Sequence, residues 1–80
     1  MTPAERSALT GALSSGLTAA RQEIIAGDAD ASDVVEARMA LERARSAAQQ
    51  GDQAARLDAA YWAGRYAVLA RGTPTTTTTR

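Results

Sequence analysis

Apolar residues recur at helical spacing over three stretches of the chain, separated by two polar connections that each contain glycine and aspartate. Leu9, Leu13, Leu17, Ala20 and Ile24 follow one another at intervals of four, four, three and four, which places them on one face of a helix. Val34, Ala37, Leu41, Ala44 and Ala48 repeat the pattern, as do Ala54, Leu57, Tyr61, Gly64 and Val68. Start and stop signals frame all three. Thr2, Pro3 and Glu5 make an N-cap, a first-turn proline and the return partner of a capping box. Asp33 with Glu36, and Asp52, are the cap signals of the second and third helices, while Gly27, Gly51 and Gly72 are the stops. The pattern therefore predicts helices at about 3–26, 33–50 and 52–71. Gly11 and the run Ser14-Ser15-Gly16 weaken the first, so a bend or break near Ser15 is expected.

The connection Gln50-Gly51-Asp52 is so short that helices two and three must be antiparallel neighbours. They are expected to pack along the small residues of their seams, Gly64 among them. Helix three has a second apolar stripe beside the first, made of Trp62, Tyr66 and Leu69. Either helix one covers this stripe and completes a bundle, or the stripe faces another chain, because Trp and Tyr are favoured interface anchors. The fold class that follows is all-α: a three-helix bundle over 1–72, built on an antiparallel helical hairpin. The Thr-rich segment 73–80 has nothing apolar to bury and is expected to be an extended, flexible arm or one ordered by a partner.

Composition changes the picture mainly by exclusion. The 80 residues include no Cys and no His, so disulfides, zinc fingers, thiol nucleophiles and Ser-His-Asp triads are out of reach. Nine acidic residues balance nine arginines, which removes the usual electrostatic argument for nonspecific nucleic-acid or anionic-membrane binding. No apolar run approaches the roughly 18 residues of a membrane span, and the N-terminus lacks the basic-then-apolar order of a signal peptide. The expected location is the cytoplasm or a virion assembled there. Alanine fills 20 positions, whereas Leu, Ile and Val together fill 11, so the helices should meet along thin seams and the core should be marginal alone.

Candidate chemistry is sparse. Asp28, Asp30 and Ser32 occupy the first, third and fifth positions of a calcium loop, but Asp33 stands where glycine is needed and Met39 where a bidentate glutamate is needed. Helix capping accounts for these acids. Arg38, Glu42 and Arg45 form a charged ladder with Arg43 nearby, and Asp52 with Arg56 suggests a further pair; all are read as solvated faces. The densest cluster is Tyr61, Trp62, Arg65 and Tyr66, where the guanidinium comes within reach of both preceding rings. With Leu69 and Arg71 it is the candidate protein interface, the alternative being that it is bundle core with arginine at its edge. No enzyme activity, cofactor, metal or small-molecule substrate is expected.

The stretch Leu41–Leu69, two alanine-rich helices joined by Gly-Asp, resembles one tetratricopeptide hairpin, a unit that forms a solenoid only in about three copies. The ending Tyr61-Trp62, Arg65-Tyr66, Leu69-Ala70-Arg71-Gly72 resembles the close of the last helix in small phage head-tail joining proteins of the lambda W type. That resemblance covers about a dozen residues. It implies a structural virion protein that binds a portal or neck ring and has no catalytic role. The β-hairpin of that family has no counterpart in an alternating segment here. The functional expectation is a non-enzymatic subunit that docks onto copies of itself or onto a larger ring, such as a phage neck or capsid. The competing expectation is a small regulator or antitoxin-like adaptor that binds a protein or, less favourably, DNA.

Overall fold

A computed structural model describes residues 2–72 as three helices, α1 (Pro3–Ala26), α2 (Ala31–Gln49) and α3 (Gln53–Gly72). The arm at 73–80 lies outside the described residues. No strand occurs among the described residues, and no helix among them is long and apolar enough to cross a membrane.

Both ends of α1 and α2 and the start of α3 are satisfied locally. The Glu5 N–H donates to Thr2 Oγ1 at 3.1 Å and the Thr2 N–H donates back to Glu5 Oε1 at 2.9 Å, closing the capping box. α2 starts earlier than Asp33. Its cap is Asp30, whose Oδ1 accepts from the N–H of Ser32 at 3.0 Å and of Asp33 at 3.2 Å, while Asp33 Oδ2 accepts from the Asp30 N–H at 2.9 Å. Asp33 is thus the third member of the box and not its cap. Asp30 wins because Ala31, Ser32 and Asp33 can all turn helical behind it, leaving only three residues of true connection. Asp52 caps α3 by accepting from the Ala55 N–H at 3.2 Å. Both α1 and α2 end on a left-handed glycine, Gly27 at φ 79° and Gly51 at φ 100°. The N–H after each glycine reaches back to a carbonyl of the last turn, Asp28 to Glu23 and Asp52 to Ala47.

α3 is the common support. It packs against both α1 and α2, which do not approach one another as helices. α2 and α3 are antiparallel, as their short connection requires. α1 and α3 run parallel, since Leu9 lies beside Leu57, Leu13 beside Gly64 and Ile24 beside Gly72. The three helices converge at one end of the molecule, where Ala20, Ala37 and Leu69, all at most 1% exposed, form the core. Ile24, Ala29, Val34, Trp62, Tyr66 and Val68 pack around it.

Two expectations need correction here. α1 does not break near Ser15: it is one helix of 24 residues. Gly16 is buried against α3, and a Cβ there would collide with the Tyr61 carbonyl oxygen. Reciprocally, a Cβ on Gly64 would lie 2.5 Å from the Leu13 carbonyl oxygen and 3.0 Å from the Leu17 nitrogen. The two glycines are the points where the α1 and α3 backbones come closest, and the helical packing compensates the roughly 1 kcal/mol of lost propensity at each. It follows that the stripe containing Leu57 and Gly64 faces α1, not α2. Of the second stripe, Trp62 lies beside α2, Leu69 is enclosed by Ala20 of α1 and Ala37 of α2 together, and Tyr66 packs at that core, so the stripe is covered within the chain but not by α1 alone. Alanine on α2 accommodates the larger side chains, and glycine on both helices brings α1 in from the other side.

Gly16→Ala is expected to lower stability by about 2 kcal/mol, because a backbone carbonyl cannot yield as a side chain can. Gly11→Ala, where nothing lies within 4 Å, is expected to raise it by up to about 1 kcal/mol through helix propensity. Urea unfolding of the two variants checks the contrast. The caps predict a pH dependence as well. Hydrogen bonds from Ser32 and Asp33 hold the Asp30 carboxyl below its ordinary pKa, and those of Thr2 do the same for Glu5. A depressed folded-state pKa contributes stability above the unfolded value and loses it as pH falls through the folded one. Melting temperature should therefore hold from neutrality down to the carboxylate range and then fall, and Asp30→Asn with Glu5→Gln should reduce the acid-side slope.

Candidate docking site

Asp58, Trp62, Arg65 and Leu69 follow at intervals of four, three and four and make one ridge of α3. At its lower end Leu69 is covered by Ala20 and Ala37, the residues through which α1 and α2 converge. Toward the start of α3 the ridge runs beside α2, with Asp58 and Trp62 on it. A groove of about 340 Å³ opens there, lined by Ala40, Arg43, Ala44 and Ala47 of α2, Asp52, and Ala55, Asp58 and Trp62 of α3. Its α2 wall is low because the residues facing α3 at each turn are alanines.

Arg65 sits beside this groove as a nearly enclosed cation, its side chain 12% exposed. Its Nη2 lies 2.6 Å from Glu23 Oε2 on α1, so the pair ties α3 to the last turn of α1. The guanidinium carbon lies 6.0 Å from the Tyr61 ring centroid and 5.4 Å from that of Trp62, and the two rings meet edge to face at 5.4 Å. Burial works against the charge of Arg65. The hydrogen bond and attraction of Glu23, with Tyr61 adding to them, nevertheless keep its pKa above the ordinary arginine value. Its Nε is buried without a hydrogen-bond partner, so the ring faces and Glu23 carry the whole compensation.

The sequence-derived interface residues therefore divide. Tyr61, Trp62, Arg65 and Tyr66 are half-buried and do come together on α3, the first three as one cluster. Leu69 is fully buried and belongs to the chain's own core, so it has no surface to offer a partner. Arg71 is exposed near the end of α3. The aromatic neighbour of Trp62 is Tyr61, and Tyr66 turns toward the Leu69 core. Glu23, Asp58 and the α2 alanines were not among the expected site residues. The spacing of Asp58 to Trp62 and Arg65 is visible in the sequence, but the partnership of Glu23 with Arg65 depends on α1 lying parallel to α3.

Other charges act locally. Arg38 and Glu42 pair at 3.7 Å with both side chains about two-thirds exposed, a weak surface interaction. Asp52 is engaged as a cap, and Arg56 instead lines a second, smaller groove of about 200 Å³ with Glu5, Ala8, Leu9, Gln53, Ala54 and Leu57. Asp30, from the calcium-like spacing, spends its carboxylate on the start of α2. Among the described residues no group of three or more His, Cys, Asp or Glu side chains comes together.

A double-mutant cycle of Glu23→Gln and Arg65→Met should give a coupling of about 1 to 3 kcal/mol, between the values for exposed and fully buried pairs. The double variant should be more stable than Glu23→Gln alone, since the single change leaves a nearly enclosed cation unpaired. Additive losses would mean that the pair does not hold α1 to α3. Comparison with known protein families, with curated proteins and with solved structures returned no match to this chain.

Proposed function

We propose that this chain is a non-enzymatic structural subunit whose α2/α3 groove receives a helix from a larger assembly. One observation carries the reading: beside the Leu69 core, α2 and α3 leave between them an alanine-walled groove that Trp62 lines. Small side chains let a helix backbone approach closely, and a half-buried indole offers a large apolar surface that loses little entropy on contact. Arg43, Asp52 and Asp58 around the groove supply polar groups that would orient the incoming helix.

Tyr61 and Arg65 act in this proposal as positioning groups. Clamped by Glu23 and both rings, Arg65 holds Trp62 against the ridge and keeps the groove floor preorganised. Exposed Arg71 and the Thr-rich sequence 73–80 are secondary contacts in this proposal. The specific setting we propose is a phage neck or capsid, and its support is the resemblance of Tyr61–Gly72 to the lambda W type of head-tail joining protein. The adaptor or regulator alternative draws no support from a basic surface, because Arg38, Arg43 and Arg45 alternate with Glu42 on α2.

Trp62 is the sole tryptophan, so docking has its own optical reporter. Mixed with a portal or neck-ring protein, the full chain should co-sediment and its tryptophan emission should shift to the blue. Ala47→Arg fills the groove from a half-exposed position and should abolish both signals while leaving circular dichroism and melting temperature unchanged. Co-sedimentation that survives Ala47→Arg would place docking elsewhere. A salt-dependent shift of nonspecific DNA at low ionic strength, without co-sedimentation, would favour the regulator.

A further inference from the structure

The face of α2 that looks away from α3 has a composition that its solvated position does not require. Val35 and Met39 lie one turn apart on it, 57% and 52% exposed. With Glu42 and Ser46 they continue at intervals of four, three and four, the spacing of a coiled-coil seam. The opposite stripe, Ala37, Ala40, Leu41 and Ala44, is the one buried against the rest of the chain. The exposed pair is therefore not a displaced piece of core.

The charges beside this stripe say what covers it. On one flank lie Glu36 and Arg43; on the other lie Arg38 and Arg45, with Glu42 at that edge of the stripe, all exposed. When two identical helices meet antiparallel about a two-fold axis, each flank meets the same flank of its neighbour with its direction reversed. Glu36 then faces Arg43 of the second copy, and Arg38 faces Glu42 of the second copy. Symmetry repeats each pairing, giving four contacts between opposite charges. The two sets of pairs place the axis within half a residue of one another, beside Met39 and Ala40. There the two Met39 side chains meet, with each Val35 beside Ser46 of the second copy. A parallel arrangement would instead set opposite flanks at one level, Glu36 beside Arg38 and Arg43 beside Glu42 of the second copy, so a charge swap at 36 and 43 separates the two arrangements.

We propose that the outer face of α2 binds the same face of a second copy of this chain, antiparallel, with Met39 at the axis. The charge pattern is self-complementary in this arrangement, and the exposed Val35 and Met39 supply apolar surface at its centre. The groove shares with this face only Arg43, at its rim, and its alanine wall lies on the side of α2 toward α3, so the dimer would leave both grooves open and this inference does not depend on what they bind.

Sedimentation equilibrium of the full chain from micromolar to millimolar concentration tests it. A monomer–dimer equilibrium that weakens with added salt is expected, since the flanking pairs are exposed and screened. Met39→Glu should weaken association about tenfold or more, as loss of a central apolar anchor does. Glu36→Arg should weaken it too, and adding Arg43→Glu to that variant should restore it, because the swap exchanges the signs but keeps every pair opposite. All three positions are exposed, so helicity and melting of the monomer report that the fold is intact. A chain that stays monomeric at low salt up to millimolar concentration would overturn the proposal. So would a dimer that tolerates Met39→Glu, or a charge swap that fails to restore association. A dimer abolished by Ala47→Arg yet indifferent to Met39→Glu would move self-association into the groove and equally overturn it.

Discussion

The close approach of two helix backbones at Gly16 and Gly64 is the constraint on which the rest of the molecule depends. The chain has few large apolar residues and could not fill a wide space between α1 and α3. Removing the Cβ from both sides of the crossing brings the backbones together and replaces bulk by proximity. Dispersion energy falls steeply with distance, so a thin seam at short range can match a thick one at ordinary range. The cost is two glycines inside helices, each weaker than alanine by roughly 1 kcal/mol in propensity. α1 nevertheless runs unbroken through Gly16, because its neighbour supplies there what local preference withholds.

The position of Arg65 follows from that crossing. With α1 parallel to α3 and close to it, Glu23 arrives within hydrogen-bonding distance of Arg65, one turn beyond the Ala20 contact. The same closeness shields the guanidinium from water, which would be unfavourable without the carboxylate and the faces of Tyr61 and Trp62. The charge pair, the aromatic pair and the glycine crossing are thus one cooperative unit along α3. Loosening the crossing would expose the cation, and removing the carboxylate would press the helices apart. On its α3 side the groove is lined by Trp62, which this unit holds through Arg65 and Tyr61, while its α2 wall is made of the small alanines opposite Ala55 and Trp62.

Alanine has two roles in α2. Where α2 converges with the other helices, Ala37 closes over Leu69 and seals the core. About one, two and three turns further on, Ala40, Ala44 and Ala47 line the groove with Ala55 and Trp62, where the same smallness leaves space open. The outer surface of α2 differs again, with two sizeable apolar residues exposed among charges of both signs. A single helix therefore separates two surfaces of different character, one concave and lined by small residues, the other convex and patterned by charge.

Helix number, helix type, the capping box at Thr2, the left-handed stops at Gly27 and Gly51 and the antiparallel hairpin were legible in the residues themselves. They depend on contacts within a few positions along the chain, which local spacing encodes directly. The reach of Arg65 to both rings was legible for the same reason, being a matter of one helical turn. The choice of Asp30 over Asp33 as cap was not, because both precede a helical run with suitable side chains and only the three-residue connection decided between them. Which stripe of α3 faces which neighbour lay beyond local pattern altogether. Gly64 read as a seam residue toward α2, and Gly16 as a weakness in α1, because a glycine's use in close approach appears only when its opposite backbone is in place. By itself the sequence determined that this would be an all-α chain with an aromatic-rich third helix and no Cys or His chemistry. The tertiary structure decided that α3 would be central, that Glu23 would meet Arg65, and that Leu69 would be core, since each needs residues some 30 to 50 positions apart to share one space.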